Sequence, residues 1–249
     1  ALSRAGINAE TPDPPGGVIE RDSTGTPTGI LIEAAGALVQ RFLEPTTAQL
    51  DRAVLHMAAT FHGLGITGFK EPMAFAPELA AYAKADRAGQ LNLHVGAHLT
   101  RFSPFSEDWI AMETLAALRA THHSPNLHTG FAKLFLDGVP IARTAAFLAP
   151  YPGTNPDRHD PEAMLLIKPD RLNAEVTALD AAGYVVKMHA VGDRAVQAGL
   201  DAIAAARAAN GASNLRHEIA HANFIAPGDL PRFAALDAVA EVSPKLWMP

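Results

Sequence analysis

Residues that can bind a metal ion stand near the ends of several apolar stretches in this chain of 249 residues. Lys133 lies in KLFLDG, His189 lies in YVVKMHAVGD, and His217 and His221 lie in RHEIAHA. Because side chains alternate in direction along a strand, His217 and His221 are expected on one face of their strand. Lys133 and Asp137 share a face for the same reason. Imidazole nitrogens suit zinc and related divalent ions, and an open coordination position leaves room for an activated water.

Each of these residues also has a purely structural interpretation. A single histidine on a strand is more often a hydrogen-bonded core or loop residue than a metal ligand. Lys133 has a partner in Asp137, as a buried charge requires. Asp193 would serve as the N-cap of the helix RAVQAGLDAIAAARAANG. Taken singly, none of these residues establishes a site.

Helical and strand patterns alternate along the chain from residue 46 onward. The strand patterns are GITGFKEP, LNLHVGAHLT, HTGFAKLFLDG, YVVKMHAVGD, RHEIAHANFI and AVAEVSP. Such alternation favours parallel strands joined by right-handed crossovers. No GxGxxG or GxxxxGK[ST] motif follows any of them, which argues against a dinucleotide or P-loop site. We predict an α/β fold of the (β/α)8 TIM-barrel type, in which functional residues gather at the carboxyl ends of the strands. Residues 1–45 are predicted as a loop and hairpin leading into this barrel, and residues 46–249 as a partial barrel that forms the catalytic domain.

Composition and charge exclude several classes of function. The formal net charge is −6 without a basic block, so nucleic acid is not an expected partner. No apolar run approaches the roughly 20 residues of a membrane-spanning helix. Cysteine is absent, which excludes disulfides and thiolate ligands. The chain begins ALSRAGINAE, without Met or a signal peptide, so we expect a missing upstream segment and a cytoplasmic location.

Four stretches of the sequence together resemble a known family. They are the opening INAETPDPPGGVIERDSTGTPTGILIEAA, KLFLDGVPIARTAAFLAPY at 133–151, VVKMHAVGDRA at 185–195 and RHEIAHANFIAPGDLPRFAAL at 216–236. They resemble the amidohydrolase superfamily, in the branch around N-substituted formamide deformylase. The pair HAxGDRA and RHxIxHA is fairly specific, and the resemblance covers nearly the whole chain. It implies metal-dependent hydrolysis of a C–N, amide-like bond on a distorted barrel.

The resemblance also assigns roles to individual residues. Lys133 matches the fourth-strand lysine, which in binuclear relatives can be carboxylated and bridge two metal ions. His189 and His221 match the metal ligands of the fifth and sixth strands. His217 is expected beside the site, where it would contact substrate or orient its neighbours. The ion is expected to be zinc, as one or two ions in the complete protein.

A long segment at residues 144–170 is predicted to form a lid or wall over the site, because specificity in this fold comes from loops. Thr144 and Tyr151 are the candidates for contact with a small amide-like substrate. Arg158 is better interpreted as an ordinary loop residue.

Two parts of the family pattern are not in this sequence. The first-strand His-x-His pair is absent, and the eighth-strand Asp that deprotonates the attacking water is expected beyond residue 249. We therefore expect the second to the seventh strand of a larger enzyme. Such a chain would hold metal incompletely and would not be a competent hydrolase alone. Its edges at 65–72 and 238–244 would need covering by a partner copy, as in a homo-oligomer, or by other parts of the protein.

Two other functions stay open at this point. The first is a non-catalytic relative that keeps the barrel as a binding or regulatory protein. The second is a metal-free barrel enzyme that uses Lys133 or Lys187 as a Schiff-base amine. Lys187 shares a strand face with His189, so the second alternative has a structural basis.

Overall fold

The computed structural model describes residues 1–40, 42–104 and 109–243. A short helix α1 (Leu2–Ala5) precedes an antiparallel hairpin of β1 (Gly17–Arg21) and β2 (Pro27–Glu33), followed by a 3-10 turn and helix α2 (Ala37–Gln40). A small apolar cluster separate from the main core holds this part together; its buried members are Ile7, Ile19, Ala35 and Val39. The hairpin predicted for the Pro/Gly-rich opening is therefore present.

The rest of the chain is a parallel sheet of six strands, in sequence order β3-β4-β5-β6-β7-β8. The strands are β3 (Gly68–Ala74), β4 (His94–Thr100), β5 (Leu127–Phe135), β6 (Val185–Ala190), β7 (Glu218–His221) and β8 (Val239–Val242). The helices are α3 (Thr47–Gly63), α4 (Ala76–Arg87), α5 (Met112–His122), α6 (Pro169–Ala181), α7 (Asp193–Asn210) and α8 (Leu230–Ala235). The α/β prediction and the six strands with their order are confirmed.

Local signals set where the helices begin. Thr46 and Gln49 form a reciprocal cap at the start of α3, in which each side chain accepts the backbone N–H of the other residue. Helix α7 begins at Asp193, but its carboxylate accepts the N–H of Leu148 at 2.8 Å instead of capping its own helix. The sequence-based N-cap assignment of Asp193 is thus wrong, because Gly192 occupies the cap position.

The two faces of the sheet differ in polarity. The outer face is covered by helices and is apolar, with Leu99, Leu134 and Met188 completely buried. The inner face carries an ionisable side chain from every strand, namely Lys70, His98, Lys133, Lys187, Glu218 and Glu241.

Ion pairs across the inner face show how strongly the sheet is curled. Lys70 on β3 pairs with Glu218 on β7, although three strands separate β3 and β7 in the sheet. Lys187 Nζ lies 3.1 Å from Glu218 Oε2 and also pairs with Glu241. A flat sheet would hold β3 and β7 too far apart for contact, since neighbouring strands are about 4.8 Å apart. The sheet is therefore a curled half-barrel, as an incomplete TIM barrel requires.

The edges of the half-barrel are β3 and β8, each with one neighbouring strand. Strand β8 falls within the predicted edge at 238–244, of which Pro244 lies outside the described residues, whereas β3 overlaps the predicted edge at 65–72 and extends two residues beyond it, to Ala74. A covering partner stays a prediction. In the described ranges, every helix is too short or too polar to cross a membrane.

Candidate active site

The site is built at the carboxyl ends of β5, β6 and β7. Register pairs Lys133 with Lys187 and Phe135 with His189, so β5 and β6 present their polar residues side by side. The ring of Phe135 contacts two of the candidate site residues, Lys133 and His189. Its ring stacks on His189 at a centroid distance of 5.1 Å, and Lys133 Nζ lies 4.5 Å from its centroid.

His221 enters the same site from β7. Its ring meets that of His189 edge to face, with a centroid distance of 4.6 Å and an interplanar angle of 72°. Alternation along β7 would place His221 on the face opposite Glu218, which pairs with Lys187 inside the half-barrel. His221 instead has φ 72°, in the left-handed region, and this backbone reversal brings its ring to the inner side. The structure therefore brings Lys133, His189 and His221 together.

Burial sets the protonation of the three side chains. Lys133 is 3% exposed, and burial followed by the charge of Lys187 lowers its pKa to about 7. Burial, together with the charges of Lys133 and His221, lowers the pKa of His189 to about 3. Burial is also the main cause that lowers the pKa of His221. Both imidazoles are therefore neutral at neutral pH, which is the form that binds metal ions.

One nitrogen of each imidazole is fixed by the protein. His189 Nε2 donates to the carbonyl oxygen of Gly138 at 3.1 Å, and His221 Nδ1 lies 3.0 Å from Ser243 Oγ. The tautomer of His189 follows from its carbonyl partner. Metal-binding histidines commonly donate their second nitrogen to a carbonyl or carboxylate in this way. The donor chemistry of the pair therefore fits a divalent ion.

The chain's own set of donors is small. Within residues 1–40, 42–104 and 109–243, no group of three or more His, Cys, Asp or Glu side chains is arranged to hold a metal ion. The donors that the described residues bring to this point are therefore the pair His189 and His221, with Lys133 beside them.

Asp137 supports the site through the backbone. Its carboxylate accepts N–H groups from Ala146, Val191 and Gly192 at 3.0, 3.0 and 2.9 Å, and Oδ1 lies 3.6 Å from His189 Nε2. Burial raises the pKa of Asp137 to about 7 against the opposing effect of these hydrogen bonds. The predicted pairing of Asp137 with Lys133 is replaced by this backbone cradle, which fixes the turn that follows His189.

His217 does not lie in the site formed by Lys133, His189 and His221, so the prediction that it stands beside that site is wrong. It is fully buried just before β7, at the amino-terminal end of the sheet. Its Nδ1 accepts the N–H of Val186 at 3.0 Å, and its Nε2 donates to Asp180 Oδ1 at 2.9 Å. Both ring nitrogens are used within the fold, so His217 has a structural role.

Thr144 and Tyr151 are both held by hydrogen bonds within the chain. Thr144 Oγ1 donates to Glu33 Oε1 at 2.7 Å and accepts the N–H of Val139 at 3.0 Å. The hydroxyl of Tyr151 donates to the carbonyl of Ala145 at 3.0 Å. Substrate contact by Thr144 and Tyr151 stays a prediction. The contact of Glu33 with Thr144 could not be predicted from the sequence, because Glu33 lies in the hairpin, 111 residues before Thr144.

Backbone strain gathers around this region. Five non-glycine residues of the described chain have φ in the left-handed region: Glu33, Arg143, His221, Ala222 and Asp237. The first four lie at the site or at its border with the hairpin. Strained residues of this kind concentrate at functional sites, where the surrounding structure holds them in place.

The sequence of the chain matches a protein family and several known proteins. Residues 1–248 match the model of the amidohydrolase family. The chain is 34% identical to the exoenzymes regulatory protein AepA of Pectobacterium carotovorum over 95% of this chain and 50% of that protein. It is 30% identical to the putative amidohydrolase YtcJ of Bacillus subtilis over 98% of this chain and 44% of that protein. Over 39% of this chain and 20% of the relative, it is 40% identical to N-substituted formamide deformylase of Arthrobacter pascens.

A solved structure shows the same fold. An uncharacterized metal-dependent hydrolase from Pyrococcus furiosus superposes with a TM-score of 0.67 at 22% identity, covering 96% of this chain and 46% of that one. The chain thus spans about half the length of the curated relatives and solved structures that it matches over nearly its whole length.

Proposed function

Because the chain belongs to the amidohydrolase family, we propose that it supplies metal-binding side chains to a hydrolase that cleaves a carbon–nitrogen bond in a small amide-like molecule. One observation supports this above all others. The neutral imidazoles of His189 and His221 lie 4.6 Å apart at the carboxyl ends of adjacent strands. This end of a parallel barrel is where enzymes of the fold carry their chemistry.

The proposed roles follow from the contacts of each residue. His189 and His221 bind a divalent ion, and zinc suits a pair of imidazoles best. A bound zinc ion supplies Lewis acidity, which lowers the pKa of a water molecule toward neutrality and polarises the substrate carbonyl. The carbonyl of Gly138 keeps the proton of His189 on Nε2 and leaves Nδ1 as a donor for the ion. The ring of Phe135 packs between Lys133 and His189.

Lys133 adds a neutral amine to this site. Since burial lowers its pKa to about 7, a large fraction of the side chain is unprotonated at neutral pH. An unprotonated amine can take up carbon dioxide, losing a proton and gaining a carboxylate that is able to bind a metal ion. Carboxylation of Lys133 is therefore part of the proposal.

Lys133 and Lys187, the two lysines considered for a Schiff-base mechanism, differ in their surroundings. Lys187 Nζ is paired with Glu218 and Glu241, which gives it a structural role as an ammonium. Burial lowers the pKa of Lys133, and a Schiff-base mechanism in this chain would depend on Lys133.

A second candidate function has one specific observation in its favour. The relative AepA, which matches 95% of this chain, is named as a regulatory protein. A non-catalytic protein of this family would keep the half-barrel and bind a ligand without hydrolysing it.

Metal content and turnover test these alternatives together. We expect the hydrolase to which this chain supplies these side chains to bind zinc and to release formate from a simple N-alkylformamide. His189→Ala and His221→Ala should each abolish both, whereas His56→Ala, on the exposed side of α3, should change neither. Zinc binding without formate release would support the non-catalytic candidate. Normal turnover by either site variant would disprove the metal assignment.

A further inference from the structure

The segment after β5 borders two cavities whose linings share Arg143 and Met164. The larger, of about 620 Å³, is lined by Arg143, Tyr151 and Arg158 among others. The smaller, of about 270 Å³, is lined by Arg143 and Gly138 among others. Because the carbonyl of Gly138 accepts the hydrogen bond from His189, the smaller cavity ends beside the candidate metal ligand. Arg143 therefore stands between the site and the larger cavity.

The guanidinium groups of Arg143 and Arg158 are free to bind a ligand. Both residues are exposed, and in the described part of the chain neither guanidinium has a hydrogen bond or a carboxylate partner. Arginines that brace the fold are paired, as Arg101 is with Glu175. Asp160 is the acidic residue that lines the larger cavity, and its Oδ1 accepts the N–H groups of Glu162 and Ala163 at 3.0 and 3.2 Å. The larger cavity therefore presents an excess of positive charge.

The backbone holds Arg143 at the junction of the cavities. Arg143 has φ 56°, a left-handed conformation that is unfavourable for a residue with a Cβ atom. The neighbouring Thr144 fixes it there, since Thr144 accepts the N–H of Val139 and donates to Glu33 on the hairpin. Such a conformation persists where the surrounding structure over-determines it, and residues of this kind cluster at active sites, ligand clamps and switch regions.

We infer that the substrate of this site is a small amide that carries a carboxylate, and that Arg143, assisted by Arg158, binds the carboxylate while the amide lies beside His189. The position of the amide rests on the proposed function, whereas the carboxylate site rests on the two arginines and their cavity. A planar guanidinium binds a carboxylate through two parallel hydrogen bonds, which gives both affinity and orientation. Thr144 is then a positioning residue for Arg143.

A matched pair of formamides tests the inference. N-formyl-4-aminobutyrate and N-propylformamide share the formamide and the alkyl chain and differ in the carboxylate. Ligand-observed NMR titration of the hydrolase to which this chain contributes gives the dissociation constant of each probe and shows in the same sample whether formate is released. We expect the carboxylate probe to bind at least about tenfold more tightly, because a charge-assisted hydrogen bond contributes about 1.5–3 kcal/mol.

Variants assign the preference to residues. Arg143→Gln should weaken binding of the carboxylate probe by roughly ten- to hundredfold and leave N-propylformamide unchanged. Arg143→Lys keeps the charge and should retain part of the preference. Arg52→Gln is the matched control, because Arg52 is an exposed arginine on α3 that lines neither cavity.

The outcomes separate this inference from the proposed hydrolase. A preference that Arg143→Gln abolishes, without formate release from either probe, would support the carboxylate site and contradict the hydrolase. Equal affinity for the two probes, or an equal effect of Arg143→Gln and Arg52→Gln, would overturn the carboxylate site. If formate were released equally from both probes, the proposed hydrolase would be supported and the carboxylate site would be contradicted.

Discussion

The ring centroids of His189 and His221 lie 4.6 Å apart because His221, the last residue of β7, adopts a left-handed backbone conformation. His189 reaches the site from a regular strand, whose register with β5 places it beside Phe135. His221 reaches it through a left-handed conformation that continues into Ala222, with φ 43°. The strained backbone at the end of β7 thus costs stability and places the imidazole of His221 in the site.

Replacement of Ala222 by glycine should reduce this strain. A left-handed residue with a Cβ atom costs about 1–2 kcal/mol, and the greater flexibility of unfolded glycine offsets about 0.5–1 kcal/mol of the gain. We expect Ala222→Gly to raise the free energy of unfolding by roughly 0.5–1 kcal/mol, measured by urea denaturation. The matched control is Ala198→Gly inside α7, which should destabilise by about 1 kcal/mol. Loss of stability in Ala222→Gly equal to that of Ala198→Gly would show that the left-handed turn carries no strain.

The buried pair His217 and Asp180 should make stability depend on pH. His217 Nδ1 accepts a backbone N–H, so the folded state requires the neutral ring, and burial lowers the pKa of His217 below its ordinary value of 6.5. The unfolded chain therefore binds the proton first. Stability from this residue is complete above about pH 6.5 and is lost as the pH falls below it.

Urea denaturation between about pH 8 and pH 5 measures this dependence. His217→Gln should lower the free energy of unfolding by about 1–3 kcal/mol at the higher pH, because it removes the imidazole that pairs with the buried Asp180 and the N–H of Val186. The difference from the unsubstituted protein should shrink as the pH falls, by up to about 1.4 kcal/mol for each pH unit. His189 and His221 contribute to the slope in both proteins and cancel in the difference. A constant difference across the range would contradict the role given to His217.

The sequence was sufficient for the order of the elements and for the three residues at the strand ends. Apolar runs that alternate with helical patterns predict six parallel strands. Lys133, His189 and His221 lie near the carboxyl ends of three of them, and the family resemblance singles them out from the other polar residues there. The rule of alternating side chains failed on β7, since it placed His217 and His221 on one face. A left-handed residue at the strand end leaves no signal in the residue types, because His221 and Ala222 are not glycines. The contact of Glu33 with Thr144 was equally hidden, as it joins distant parts of the chain.

Lys187 should behave as a structural cation. It is 2% exposed and pairs with Glu218, which is itself buried. Lys187→Met leaves Glu218 with one charged partner fewer in a buried setting, so we expect a loss of about 3 kcal/mol in the free energy of unfolding. Lys84→Met is the control, because Lys84 forms an exposed pair with Asp51 whose loss should cost less than about 1 kcal/mol.

Borohydride trapping with a carbonyl compound completes the test of the lysines. We expect no covalent adduct at Lys187, because its ammonium is held between two carboxylates. Mass spectrometry of peptides identifies any modified lysine. An adduct on Lys187 would contradict its structural role, and an adduct on Lys133 would favour the Schiff-base mechanism over the metal site.

The turn after His189 should tolerate no side chain at Gly192. A Cβ atom at this position would lie 2.0 Å from the carbonyl oxygen of Ala146, which is backbone and cannot move aside. The N–H of Gly192 also donates to Asp137, so displacement of the turn would disturb the cradle that Asp137 forms next to His189. We expect Gly192→Ala to lower the free energy of unfolding by about 1–3 kcal/mol and to weaken zinc binding, measured by denaturation and by metal titration. Gly36→Ala is the control, because a Cβ atom there meets no atom within 4 Å, and its stability and zinc affinity should remain unchanged. Equal zinc affinity in the two variants would show that the turn does not position His189.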